Sequence, residues 1–235
     1  MDKEWREYFL LWSETDIYKE RVKEAKAVIK EALSRFKKPY IAFSGGKDST
    51  ALMHLVLSFD KNITVLHWWP GPYFYPKPLE DEVIRIAKAC GARNIRVETS
   101  EEYVIYGRRA HNVKGRKFLG GVIPRMVKEE GYDLAFIGLR AEEAAKRKSR
   151  VKNFFEWDKT RQITNCFPLA NWSWKDVWAY IVSNNIPYLS YYDQYGPIVG
   201  WDKARLCALF ASDMERFGAP WVDGVLMWRY RNIEV

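Results

Sequence analysis

The sequence predicts an α/β fold, a five-stranded, mostly parallel sheet with helices on both faces and helical additions at both ends. Three observations predict it. The apolar run Tyr40-Ile41-Ala42-Phe43 leads into Ser44-Gly45-Gly46-Lys47-Asp48-Ser49-Thr50 and then Ala51-Leu52-Met53-His54-Leu55-Val56-Leu57, the order of strand, glycine-bearing turn and helix. Asn62-Ile63-Thr64-Val65-Leu66-His67 is a second continuous apolar run, as in a strand covered on both faces. Strand-like and helical stretches then alternate, which implies right-handed crossovers in a parallel sheet.

Residues 1–38 read as a helical extension of two helices; from Tyr18 to Phe36, residues Val22, Ala25, Ile29, Leu33 and Phe36 recur at helical spacing. The α/β domain spans 39–190, with strand one at 39–43 and the helix after the glycine turn reaching about residue 58. Strand two is 62–67, and Trp68 to Pro78, with four prolines and one glycine, is a loop. A helix over 79–90 is closed by Gly91. Strand three is 94–98, a helix follows at 118–130, strand four is 133–138 and strand five is 162–167. Ser173 caps a helix over 174–184, and residues 191–235 form an aromatic-rich extension of the same domain.

The chain has 235 residues, 48% of them hydrophobic, enough for a large core. No apolar run reaches the ~18 residues of a membrane span. The start, Met1-Asp2-Lys3-Glu4-Trp5-Arg6, is charged and lacks a signal-peptide core, so a cytoplasmic protein away from membranes is expected. Cys90, Cys166 and Cys207 are far apart and form no CxxC pair, which argues against a disulfide scaffold, a zinc site or an iron–sulfur cluster within one chain.

The net charge is +8, and its distribution is uneven. Tyr103 to Lys128 contains no acidic residue but holds Arg108, Arg109, Lys114, Arg116, Lys117, Arg125 and Lys128. A second cluster comprises Arg140, Lys146, Arg147, Lys148, Arg150, Lys152, Lys159 and Arg161. The clusters are either a solvated face or a funnel for a polyanion such as a nucleotide or RNA. Phe154, Phe155 and Trp157 beside them could stack on a base or belong to the core.

The stretch from Ser44 to Thr50 carries the most chemistry. Adjacent glycines allow backbone N–H groups to approach an anion, and the following helix directs its free N–H groups and positive dipole end to the same place. Ser44, Ser49 and Thr50 add hydroxyls and Lys47 a charge. The spacing differs from the common NTPase loop, which separates its first glycine from Gly-Lys-Ser/Thr by four residues. The plainer alternative is a tight turn in which Asp48 or Ser49 caps the helix. Ligands of such sheets lie at the carboxyl ends of the strands, where strand order reverses. The loop, His67-Trp68-Trp69 and Gly138-Leu139-Arg140 all fall at that edge. Trp68 and Trp69 are placed to wall a ligand, whereas Trp172, Trp174 and Trp178 read as core residues.

Ser44-Gly45-Gly46-Lys47-Asp48-Ser49-Thr50 resembles the signature of the PP-loop ATP pyrophosphatases, or adenine nucleotide α-hydrolases. Gly138-Leu139-Arg140-Ala141-Glu142-Glu143 with Arg147, Pro168-Leu169-Ala170-Asn171-Trp172 with Asp176-Val177-Trp178, and Ile186-Pro187-Tyr188 with Tyr192-Asp193-Gln194 are similar to the phosphoadenosine phosphosulfate (PAPS) reductase and FAD synthetase branch. The resemblance covers about residues 38–207 and rests on the set of segments in this order.

The resemblance implies an adenine nucleotide, ATP or a relative such as PAPS, cleaved at the α-phosphate with release of pyrophosphate. It places the nucleotide on Ala42, Phe43, Ser44, Gly45, Gly46, Ser49, Thr50, His67, Trp68, Gly138 and Leu139. Lys47, Arg140 and Arg147 would neutralise the leaving pyrophosphate, and Asp48 would serve catalysis as a Mg²⁺ ligand. Arg140 with Glu142 or Glu143 could equally be a salt bridge at a helix start. Implied acceptors are sulfate, a flavin phosphate or a tRNA base, and the chain could act as a homodimer.

Sulfonucleotide reductases of this branch carry a nucleophilic cysteine in a Glu-Cys-Gly-type motif near the C-terminus; residues 208–235 contain no cysteine. His67-Trp68-Trp69-Pro70-Gly71 replaces an Asp-Thr-Gly-like run, and Gly200-Trp201-Asp202 stands where Gly-Cys-x-x-Cys is common. These departures favour adenylyl transfer. The alternatives are a sulfonucleotide reductase or sulfur-transfer enzyme using Cys207 or a partner's thiol, and a nucleotide- or RNA-binding module without turnover.

Overall fold

The computed structural model describes residues 1–69, 77–99, 122–143, 151 and 153–204. Helix α1 (Lys3–Ser13) and helix α2 (Asp16–Arg35) precede the sheet. Strand β1 (Pro39–Phe43), helix α3 (Lys47–Leu57), strand β2 (Thr64–Trp69), helix α4 (Lys77–Ala89) and strand β3 (Ile95–Thr99) follow in strict alternation. After them come helix α5 (Ile123–Glu130), strand β4 (Leu134–Phe136), a 3-10 turn (Ala141–Glu143), strands β5 (Phe155–Asp158) and β6 (Ile163–Cys166), helix α6 (Trp174–Ser183) and helix α7 (Tyr191–Val199).

Among the described residues the sheet has six strands in the order β3-β2-β1-β4-β6-β5, one more than the sequence predicts. The extra strand, β5, lies at the edge and is antiparallel to β6, with Asp158 opposite Ile163. Its sequence, Phe-Glu-Trp-Asp, lacks the apolar run by which the parallel strands announce themselves. The Asp158 carboxylate accepts from the amides of Thr160 and Arg161, both at 3.0 Å, and Gln162 takes a positive φ of 56°, closing a tight hairpin. This accounts for the aromatics beside the basic cluster. Phe155 stacks on Phe36 with the Arg35 guanidinium 4.8 Å from its centroid, and Trp157 points to solvent.

Alternation along the central strands sorts their side chains to two faces. Ile41, Phe43, Val65, Leu134 and Phe136 enter the main core with residues of α2, α3, α4 and α6. Tyr40, Leu66 and Ala135 enter a second core closed by Ile123 and Met126 of α5. Of the five residues at helical spacing, four lie on α2: Ala25 and Ile29 are buried and Val22 and Leu33 partly buried against the same core; Phe36, also partly buried there, is the extended residue that ends the helix. Phe9 of α1 packs between Trp174 and Trp178 of α6, so the N-terminal helices share the core of the sheet. Among the described residues no helix is long and apolar enough to cross a membrane.

Ser173 caps α6 in a reciprocal box with Asp176, as its position before the apolar run predicts. The fully buried Asp176 also accepts from Trp12 Nε1 at 2.8 Å and pairs with Arg21, tying both N-terminal helices to α6. Removing one partner from a buried pair leaves the other charge uncompensated. Arg21 is 32% exposed, so water compensates part of its charge, and Asp176→Ala is expected to lower the unfolding free energy by about 3 kcal/mol, the lower end for a broken buried pair, measured by urea denaturation; a loss under about 1 kcal/mol would place the anchoring elsewhere.

Candidate nucleotide-binding site

Strands β2 and β3 extend to one side of β1, and β4 and β6 to the other, so the order reverses between β1 and β4. Ser44-Gly45-Gly46 leaves the carboxyl end of β1, and Gly138-Leu139-Arg140 follows the carboxyl end of β4. The crevice at this reversal is where an open α/β sheet accepts a ligand.

Gly45 has φ of +84°, which a side chain would disfavour. Gly46, with φ −68° and ψ 156°, is the residue capping α3 and supplies no side-chain bond to its N–H groups. The capping reading of Asp48 and Ser49 is thus set aside: both lie within the first turn. The hydroxyls of the loop instead brace its backbone. Ser49 Oγ donates to the Gly46 carbonyl at 2.9 Å and lies 3.1 Å from Ser44 Oγ, and Thr50 Oγ1 donates to the Gly45 carbonyl at 3.4 Å. Ser44 is exposed at the mouth of the loop, whereas Gly45, Gly46, Ser49 and Thr50 are buried. Phe43 sits in the main core, and Ala42 packs partly against the second.

Gly138 brings the other wall close. A Cβ at this position would stand 3.1 Å from the backbone carbon and oxygen of Asp48 and 3.2 Å from Ser49 N. The close approach carries Arg140, 1% exposed, onto the loop. Its Nε bonds Asp48 Oδ1, its Nη1 donates to Glu142 Oε2 at 2.7 Å, and Glu143 lies 3.9 Å away. Burial alone would depress the Arg140 pKa; Asp48, then Glu143, outweigh it and hold the guanidinium above its ordinary value. Of the two sequence readings of Arg140, the salt bridge with Glu142 and Glu143 is present, and the same guanidinium is held against the loop through Asp48. Glu142 also accepts from Trp174 N at 2.8 Å, tying α6 to the same cluster. Leu139 packs beside the small core of Val151, Phe167 and Ala170, where the Ala141 amide donates to the Ala170 carbonyl.

Lys47 is fully buried; its ammonium donates to the Ala204 carbonyl at 2.9 Å and lies 3.5 Å from Asp48 Oδ2. His67 is also buried, with Nδ1 2.8 Å from the Phe43 carbonyl and Nε2 2.7 Å from Glu80 Oε2. Both ring nitrogens are engaged inside the protein, so His67 joins the exit of β1 to α4. Trp68 is half-buried at the end of β2, and Trp69 beside it faces Lys77 at 5.4 Å. Arg147 and Cys207 lie outside the described residues, as do most of the basic clusters. Of the described basic residues, Arg125 pairs with Glu98, and Arg161 with Asp158. Sequence reading missed Glu80, Ala204 and Tyr192 as neighbours of the site, although Tyr192 stands in a segment that carries the family resemblance.

Among the described residues no group of three or more His, Cys, Asp or Glu side chains could hold a metal ion by itself. Mg²⁺ binds through one or two carboxylates together with substrate phosphates; the carboxylate that the loop offers is Asp48, whose Oδ1 bonds Arg140 and whose Oδ2 lies 3.5 Å from the Lys47 ammonium.

The sheet, its reversal point and the glycine-bearing loop define a PP-loop α/β protein. Residues 38–202 match the model of the phosphoadenosine phosphosulfate reductase domain, and the chain belongs to that family. Subunit 2 of sulfate adenylyltransferase from Mycobacterium tuberculosis is 31% identical over 241 residues, covering 89% of this chain and 76% of the relative. The protein of the same name from Mycobacterium sp. strain JLS is 33% identical over 198 residues, covering 71% and 62%. The phosphate complex of PAPS reductase from Candida auris superposes with a TM-score of 0.58 at 20% identity, over 83% of this chain and 92% of that one. The U34-tRNA thiolase NcsA from Methanococcus maripaludis, with its [4Fe-4S] cluster, gives 0.53 at 18% identity, over 92% and 81%. These two likenesses concern the fold.

Proposed function

We propose that the chain binds ATP at the loop from Ser44 to Thr50 and transfers its adenylyl group to sulfate. The observation that carries this reading is the glycine-capped start of α3, set at the strand reversal with the Asp48–Arg140 pair across it. Relatives named sulfate adenylyltransferase subunit 2 support sulfate over a flavin phosphate or a tRNA base. Their name also supports action together with a second, different subunit rather than as a homodimer.

In this reading an acceptor oxygen attacks the α-phosphorus. The bond from that phosphorus to the oxygen leading to the β-phosphorus breaks, and pyrophosphate leaves with the electron pair. Backbone N–H groups of Gly45 and Gly46, with Ser44, hold the departing phosphates. Lys47, Arg140 and Arg147 offset their growing charge, each well-placed donor contributing on the order of 3 kcal/mol. Mg²⁺ carried on the nucleotide, with Asp48 as its protein carboxylate, would neutralise phosphate oxygens when bound. Ala42, Trp68, Gly138 and Leu139 shape the walls, and the buried Phe43 and His67 support the end of β1 from behind.

The test is pyrophosphate release from ATP and Mg²⁺ with sulfate, flavin mononucleotide or total tRNA, with and without the partner subunit of a relative. Release that requires sulfate is expected. Nucleotide binding without release under every condition would overturn adenylyl transfer.

A further inference from the structure

The first amide of α3 is already taken. Lys47 N donates to the hydroxyl oxygen of Tyr192 at 2.9 Å, across 145 residues of sequence. That amide belongs to the set a helix start offers to an anion. Tyr192 is 1% exposed; its ring packs edge-on against Trp178, with centroids 5.1 Å apart, and lies tilted by 32° over Tyr191 at 4.1 Å. The turn before it is pinned as well: Glu82 of α4 accepts from Ser190 N at 2.7 Å and from Ser190 Oγ at 3.0 Å. The Lys47 ammonium lies 5.9 Å from the Tyr192 ring centroid. The hydroxyl therefore reaches the loop from a ring with little freedom to move.

We infer that Tyr192 is a positioning residue of the nucleotide site, its hydroxyl fixing the first turn of α3 so that phosphates settle on Ser44, Gly45 and Gly46. The inference rests on the nucleotide-binding reading and deepens it. By holding Lys47 N, Tyr192 sets the pitch at which the loop enters the helix. A small tilt there would displace every donor of the loop together, and misplacement of about 1 Å is worth about 100-fold in a reacting geometry.

Tyr192→Phe keeps the ring and removes the hydroxyl, and with it the acceptor for Lys47 N. Tyr188→Phe is the control: its hydroxyl bonds Asp193 at 2.8 Å and does not touch the loop. Titration of the full chain with ATP should show roughly five- to tenfold weaker binding for Tyr192→Phe, the equivalent of about one hydrogen bond. Tyr188→Phe should bind as the parent does, and both variants should still unfold in one cooperative transition. In the assay for release, the KM for ATP should rise while the KM for the acceptor stays unchanged. Hydrogen exchange of the 44–50 peptide without nucleotide should be faster in Tyr192→Phe alone. Unchanged ATP affinity together with unchanged exchange would overturn the inference even though the parent binds ATP. Absence of ATP binding in the parent, with faster exchange in the variant, would overturn the nucleotide reading and leave Tyr192 as the residue that sets the loop.

Discussion

Asp48→Ala is expected to reduce pyrophosphate release about 100-fold or more, while the chain still folds. Asp48 faces two cations. Its Oδ1 bonds Arg140 Nε, and its Oδ2 lies 3.5 Å from the Lys47 ammonium. Removing the carboxylate leaves Arg140 with Glu142 and Glu143, so its buried charge keeps some compensation. The stability loss should therefore fall near the lower end for a broken buried pair, about 3 kcal/mol. Activity has no comparable reserve, because Arg140 would turn toward Glu142, away from the loop. Asp48→Asn separates charge from shape: it retains an acceptor for Arg140 and loses the negative charge. If charge is what counts, Asn should be nearly as inactive as Ala, yet more stable to urea. Full activity in Asp48→Asn would remove Asp48 from the charge chemistry and reduce it to a spacer.

Gly138→Ala should give the second large effect, again about 100-fold in turnover. The added methyl would meet backbone atoms of Asp48 and Ser49 at 3.1–3.2 Å, and backbone cannot rotate away as a flexible side chain can. The two walls of the crevice must separate by a few tenths of an ångström, at a cost of about 1–3 kcal/mol. The separation falls between Asp48 and Arg140, the pair that spans the walls. Gly131→Ala is the matched control. Gly131 has φ of +74° and nothing within 4 Å of an added Cβ, so the substitution strains the backbone by about 1–2 kcal/mol away from the site. Comparable stability losses with activity lost only in Gly138→Ala are the expected result. Equal activity in both would mean that the close approach at Gly138 serves packing alone.

The features legible in the sequence are those decided by neighbours along the chain. A buried parallel strand needs a continuous apolar run, and Tyr40-Ile41-Ala42-Phe43 is one. A strand that must turn sharply into a helix needs glycine, and Gly45 takes the positive φ that this turn demands. Ser173 caps α6 because a hydroxyl three residues ahead of an acidic residue closes a local box. The edge strand β5 escaped notice because half its surroundings are solvent, so its residues carry no apolar signature.

By itself the sequence determined the α/β alternation, the loop and the family, since each is written in short segments whose physics is local. Only the tertiary structure decided what those segments do to one another. Arg140 meets Asp48 across 92 residues because β4 lies beside β1 in the sheet, an order that no local propensity encodes. His67, placed by sequence beside the nucleotide, turns into the protein because Glu80 and the Phe43 carbonyl satisfy both its nitrogens there. Tyr192 reaches Lys47 because the packing of α7 against α6 and α4 aims its hydroxyl at the start of α3. Contacts of this kind arise from the strand order and from burial, and they exist only once the whole sheet has closed.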